Sequence, residues 1–231
     1  MRTACTVALA LMVTAGASTQ DTSDVAVAGR AVFKGDILRL KLEVIKDECA
    51  RCHPDGLRES HERVNRKNRG IQNVFVWVRK GLEGRKFAVP EKAVEVKQEK
   101  CVYLPLVTGA VAGQKVAFTN TDVFAHNVHT LPKNTKHENV VQKPGQRDEF
   151  AFNAEVMVRI GCDYHPHMRA FVGAVPHPHF AVTDADGAWT LPALPAGVYT
   201  IGAWHEVYGE REQQVTVEKG MKDLTFEFER K

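Results

Sequence analysis

Ten short runs of alternating or β-branched residues leave this chain few folds to choose from. They are Val25–Phe33, Leu38–Ile45, Asn73–Arg79, Lys115–Thr119, Glu149–Phe152, Val156–Ile160, Ala188–Leu191, Val198–Trp204, Gln213–Val217 and Asp223–Phe228. Each is fenced by Gly, Pro, Asn or Asp, the residues that tight turns require. Runs this short, with period two, suit strands and are too brief for helices. The fold class they predict is all-β, with sandwiches or barrels as the architecture. Only Asp55–Asn68, polar and basic, leaves a choice between one helix and a solvated loop. The chain has 231 residues, 44% of them apolar and 26% charged, which suits one large or two small packed units. A net charge of +3 with the signs mixed gives no basic face for nucleic acid.

The N-terminus has the form of a secretory signal peptide, residues 1–17. Arg2 supplies the charged start, Ala4 to Ala15 a short apolar run, and Ala15-Gly16-Ala17 the small-x-small cleavage site. The run is too short for a membrane span, and nothing later replaces it, so the mature chain is expected to lack one. Export places the protein in the periplasm or outside the cell, where disulfides are permitted. Cys5 leaves with the signal.

The histidines are clustered. Seven of the 10 lie between His126 and His179. Two motifs stand out there: Asn120-Thr-Asp-Val-Phe-Ala-His126-Asn127-Val128-His129, and Cys162-Asp-Tyr-His165-Pro-His-Met168. Two imidazoles and one thiolate with a weak thioether on the axis suit copper in both oxidation states. Zinc shares the taste for thiolate and imidazole, but the methionine is a poor choice for it. These motifs resemble the cupredoxins of the amicyanin and plastocyanin kind, including methylamine-utilisation proteins, over about residues 110–175. The resemblance implies one type 1 copper held by His126, Cys162, His165 and Met168, with His165 the more exposed imidazole. It implies that Asn127 ties the two ligand loops together. Members of the family are electron carriers, or electron-transfer domains of larger enzymes. His129 is out of phase with His126 on an extended chain, and the family places no ligand at His167.

Cys49-Ala-Arg-Cys52-His53 matches the c-type haem attachment pattern, with His53 as axial ligand. Its polar surroundings argue against a haem. The competing reading pairs one of these cysteines with Cys101, which strands one thiol either way.

Thr183-Asp-Ala-Asp-Gly187-Ala-Trp-Thr-Leu, followed by Leu194-Pro-Ala-Gly197-Val-Tyr-Thr-Ile201, marks two tight turns between strands. This region is similar to the carboxypeptidase regulatory-like, transthyretin-type β-sandwich. Such modules are structural or carbohydrate-contacting. About fifty residues make a thin core, and Val25–Phe33 is a candidate for a borrowed strand.

The expected organisation is therefore a signal peptide at 1–17, a cupredoxin domain with an N-terminal extension at 24–176, and a regulatory-like β-sandwich at 177–231. The expected function is one-electron transfer with a redox partner protein, using His165 as the electron port. Four protein ligands leave no open position for catalysis, so an enzyme is not expected. Two alternatives keep their place: copper binding or storage without redox traffic, and a carbohydrate-contacting surface module. Pro176-His177-Pro178-His179 predicts a stiff link, so the two sandwiches should meet at a fixed angle.

Overall fold

A computed structural model describes residues 24–38, 42–58, 63–133, 136–153 and 155–230. The signal-peptide reading of residues 1–17 lies outside them. Among the described residues the strands are β1 Val25–Phe33, β2 Leu42–Glu43, β3 Leu57–Arg58, β4 Phe75–Lys80, β5 Val94–Glu99, β6 Val102–Leu104, β7 Val107–Val111, β8 Lys115–Asn120 and β9 His126–Leu131. They continue with β10 Asn139–Gln142, β11 Arg147–Ala151, β12 Glu155–Gly161, β13 Arg169–Val175, β14 Phe180–Val182, β15 Ala188–Leu194, β16 Gly197–His205, β17 Gly209–Val217 and β18 Leu224–Phe228. One 3-10 turn, Glu48–Arg51, joins them. The all-β expectation holds. The described part of Asp55–Asn68 is a short strand and turns, and among the described residues of Leu38–Ile45 the strand is Leu42–Glu43. No helix among the described residues is long and apolar enough to cross a membrane.

Two sandwiches result. The first pairs the sheet β10-β9-β12-β13-β7 with the sheet β11-β8-β5-β6. Its core holds Val96, Tyr103, Val116, Phe118, Ile160 and Val172. The second pairs β15-β1-β18 with β14-β4-β16-β17. The sheets do not follow a cut at residue 176, because β1 and β4 both pair with strands beyond it. β1 is central in its sheet, antiparallel to β15 and parallel to β18. Its alternation is the reason: Val27, Gly29, Ala31 and Phe33 are buried, while Ala28, Arg30 and Val32 between them are partly exposed. The Val25–Phe33 run is thus the strand the C-terminal segment borrows.

The two sandwiches share a third core. β4 and β13 are buried on both faces, which requires near-continuous apolar sequence. Val76 and Val78 of β4 face the second core, while Phe75 and Trp77 face the junction. Ala170, Val172 and Ala174 of β13 face the first core, while Phe171 and Val175 face the junction. Gly109 and Gly173 are paired on β7 and β13. A Cβ at Gly109 would stand 2.3 Å from the Phe180 ring, and one at Gly173 would stand 2.5 Å from the Phe75 ring. Glycine here lets the aromatic layer lie flat against the sheet. β13 ends at Val175 and β14 begins at Phe180, so the Pro-rich link is short and the junction on either side of it is packed. His177 Nε2 donates to Val78 O at 2.8 Å and His179 Nδ1 to Pro192 O at 3.2 Å, so both rings serve as tethers beside the junction.

Phe75→Ala empties the centre of that layer. It should lower stability by about 3 to 5 kcal/mol. Urea unfolding followed by circular dichroism and by tryptophan fluorescence should report the same lowered midpoint, since the aromatic layer belongs to both sandwiches. Separate midpoints would mean that the junction does not couple them.

Candidate metal centre

The two sequence motifs meet at one end of the first sandwich. β8 ends at Asn120, and a five-residue loop leads to His126, the first residue of β9. β12 ends at Gly161, and the loop 162–168 leads into β13. The loop is tight, with the Met168 N–H donating to His165 O at 2.8 Å. His126 Nδ1 and His165 Nδ1 lie 3.0 Å apart, and Cys162 Sγ lies 3.7 Å from His165 Nδ1. The donor atoms of His126, Cys162 and His165 all fall within 4.8 Å of one another. All three residues are buried, and so is Met168 at the end of the loop.

Carboxylates fix which nitrogen faces inward. His126 Nε2 lies 2.9 Å from Asp122 Oδ2, and His165 Nε2 lies 3.4 Å from Glu48 Oε1. A carboxylate beside Nε2 holds the proton there and turns the Nδ1 lone pair toward the other ring. Two lone pairs facing across 3.0 Å repel unless a proton or a cation lies between them. With the thiol beside them, this donor set fits a metal ion that takes two imidazoles and one thiolate. Burial lowers the pKa of His126 and pushes the Cys162 thiol up, so both favour their neutral forms before a metal binds.

The loops are locked from outside the donor set. The Asp163 N–H donates to Asn127 Oδ1 at 2.6 Å, and Asn127 Nδ2 donates to Asp163 Oδ2 at 3.1 Å. The Asn127 N–H points at Cys162 Sγ at 3.5 Å. The buried Tyr103 hydroxyl lies 2.7 Å from Asn127 O and 3.1 Å from Gly161 O, tying both motifs to β6. His129 faces away from the donor set and pairs with Asp163 at 2.9 Å. His129 and Asn139 hold the Asp163 carboxyl below its usual range.

The surprise is the cap. Residues 42–58 fold over the imidazole end, with Ile45 and Cys49 buried in the first core. Asp47 caps the 3-10 turn by accepting from the Cys49 N–H at 2.9 Å. Cys49 is bonded to Cys101, with the Cα atoms 5.8 Å apart. The Cys-x-x-Cys-His segment therefore offers one free thiol, Cys52, and lacks the pair that a covalent haem needs. Burial pushes that thiol's pKa up. His53 Nε2 donates to Lys100 O at 2.7 Å, docking the pentapeptide on the β5–β6 turn. Asp122 accepts from the N–H groups of Lys100 and Cys101 in that turn, at 2.5 and 2.7 Å. One carboxylate thus positions both His126 and the anchor of the cap.

The cap corrects one expectation. The His165 side chain is only 1% exposed, so its ring edge is not offered to solvent. The cap lies far upstream in sequence, and only the pairing with Cys101 signals that it comes here. Beside the loop lies a cleft of about 300 Å³ lined by His129, Leu131, Arg159 and Asp163, but Cys162 and Met168, which border it too, are only 4% and 1% exposed.

No protein-family profile and no curated protein sequence matches the chain. Parts of solved copper proteins resemble it. A copper-containing nitrite reductase (NirK) from Thermus scotoductus SA-01 matches over 38% of this chain and 23% of its own, with 22% identity and a TM-score of 0.33. A purple cupredoxin from Nitrosopumilus maritimus matches over 35% of this chain and 98% of its own, with 24% identity and a TM-score of 0.31. An oxidised mutant of amicyanin matches over 36% of this chain and 81% of its own, with 24% identity and a TM-score of 0.33. The chain thus spans less than a quarter of the nitrite reductase.

Two outcomes follow from the cap and its anchor. Mass spectrometry of unreduced digests should find the Cys49 and Cys101 peptides cross-linked and Cys52 free to alkylate. Asp122→Ala removes an acceptor shared by two backbone N–H groups and a buried imidazole. It should cost about 3 kcal/mol of stability in thermal or urea unfolding. A change under about 0.5 kcal/mol would mean that water replaces the carboxylate at no loss.

Proposed function

We propose that this chain is an exported type 1 copper protein that works in one-electron transfer. The observation that carries the reading is the buried convergence of His126 Nδ1, His165 Nδ1 and Cys162 Sγ. In this reading His126, His165 and Cys162 would hold the metal and Met168 would add a weak thioether. Copper bound there would supply a single electron, cycling between Cu(I) and Cu(II). The protein's own part is to keep the ligands still. Asp122 and Glu48 hold the Nε2 protons, so each ring presents Nδ1 without turning. Asn127 and Tyr103 keep the two loops at one spacing, and the apolar core below them admits little water. A site that does not rearrange exchanges electrons with little reorganisation. Cys162 loses its proton when metal binds.

The four ligands leave no open coordination position, which supports a carrier and not an enzyme. The disulfide fits an oxidising compartment, in keeping with the periplasmic or secreted location. The second sandwich, with β1 and β4 built into it, serves as a rigid platform. Its likeness to regulatory-like modules supports a structural or carbohydrate-contacting role.

One observation favours a second reading, copper storage or binding without redox traffic. The cap buries the His165 edge that a partner would approach. The two readings part on the Cu(I) protein: a carrier is oxidised within seconds by a small anionic oxidant such as ferricyanide, whereas a storage site resists it for hours.

The Cu(II)-loaded protein should show an intense visible band from thiolate-to-copper charge transfer. Cys162→Ser should abolish that band while circular dichroism stays unchanged, and an equally coloured variant would remove Cys162 from the site. Met168→Gln should keep the copper and lower the reduction potential, as voltammetry would record. Loss of the metal from this variant would make Met168 a primary ligand.

A further inference from the structure

The ligand loop 162–168 springs from a base that is held at both ends. Gly161, just before Cys162, and Arg169, just after Met168, face each other as a cross-strand pair of β12 and β13. The Tyr103 hydroxyl holds the Gly161 end, 3.1 Å from its carbonyl oxygen. The Arg169 end is held from the second sandwich. Arg169 Nε donates to Glu206 Oε2 at 3.1 Å, and the two side chains are only 22% and 9% exposed.

The turn that carries Glu206 is itself fixed. It follows β16 and leads into β17. His205 Nδ1 accepts from the N–H groups of Val207 and Tyr208 at 3.2 and 3.4 Å, and the His205 ring stacks on Tyr208 with centroids 4.6 Å apart. Trp204, two residues before Glu206, lies against Phe171, two residues after Arg169, with ring centroids 5.0 Å apart. The two contacts step in opposite directions along β16 and β13, so they lock one register between the sandwiches. A pair of charges so little exposed often stabilises less than apolar side chains of the same volume would. What it adds is a defined geometry, because a guanidinium and a carboxylate meet along fixed donor and acceptor directions.

We propose that Glu206 is a positioning residue for the metal centre: through Arg169 it clamps the Met168 end of the ligand loop, as Tyr103 clamps the Cys162 end. The proposal rests on the copper reading above and gives the second sandwich a part in it. Met168, the residue next to the clamp, is buried in the first core and is the one offered as the weak thioether. A weak, long bond follows the place where the protein holds the sulfur, because the metal itself pulls on it little. Glu206 acts through Arg169 and not on the metal. The second sandwich is thereby more than a platform: its β16–β17 turn sets one end of the donor loop in the first.

Glu206→Gln, Arg169→Met and the two together test this by anaerobic titration of the full chain with Cu(I), in competition with bicinchoninate. Each variant breaks the clamp, so each should weaken Cu(I) binding by about tenfold, the double variant no more than either single one. Charge alone would act differently. Loss of the carboxylate would weaken cation binding, loss of the guanidinium would strengthen it, and loss of both would leave it unchanged. A merely structural pair would lower the melting temperature and leave the affinity as it was. Either of those patterns overturns the proposal. The metal-free protein supplies a second readout. With methyl-labelled methionine, the Met168 NMR signal, assigned by its loss in Met168→Gln, should shift and broaden in all three variants while the Met221 signal stays. An unmoved Met168 signal in a folded variant overturns the proposal as well. A wild-type protein that binds no Cu(I) would sink the copper reading, and the methyl signals would still decide whether Glu206 holds Met168.

Discussion

The whole molecule depends on two strands that are buried on both faces. β4 sends Val76 and Val78 into one core and Phe75 and Trp77 into the junction, while β13 divides its residues in the same way between the other core and the junction. A strand with only one apolar face would have left one of the sandwiches loose on a tether. Because both faces are filled, the aromatic layer over Gly109 and Gly173 makes a stack of sheets from two sandwiches. β13 is also the strand onto which the Cys162–Met168 loop feeds. The packing that joins the sandwiches therefore fixes one side of the metal centre as well.

At the other side the controlling group is Asp122. Its carboxylate is nearly buried and faces three donors, two backbone N–H groups of the β5–β6 turn and the His126 ring. Buried carboxylates are costly unless their lone pairs are filled, and here they are filled by groups from two different segments. The turn it organises carries Cys101, which carries the cap. Ligand geometry and cap attachment are consequently one electrostatic problem with one solution.

The cap changes what the site can do. An exposed imidazole edge gives a partner short access to the metal. Here that edge meets Glu48 and a disulfide.

Much of this was legible in the chain. The alternation of Val25–Phe33 announced a half-buried strand, and it is one, in the sheet of the C-terminal segment. The spacing of Cys162, His165 and Met168 put three donors on one short loop, since three-residue steps in a tight turn return to one side. The two-faced burial of β4 and β13 was harder to read, because a continuous apolar run looks alike in any core. The position of the cap was hidden further. A segment of polar residues around Cys49 gives no period, and a disulfide partner 52 residues away cannot be chosen by counting cysteines. Sequence by itself determined the strand-rich class and offered a candidate donor set, because both depend on residue type and local spacing. Only the tertiary structure decided that His165 is covered, that Cys49 and not Cys52 is the bonded sulfur, and that β1 belongs with the last fifty residues. Those depend on which distant surfaces meet, and that is settled by how the apolar faces of all the sheets can be buried together.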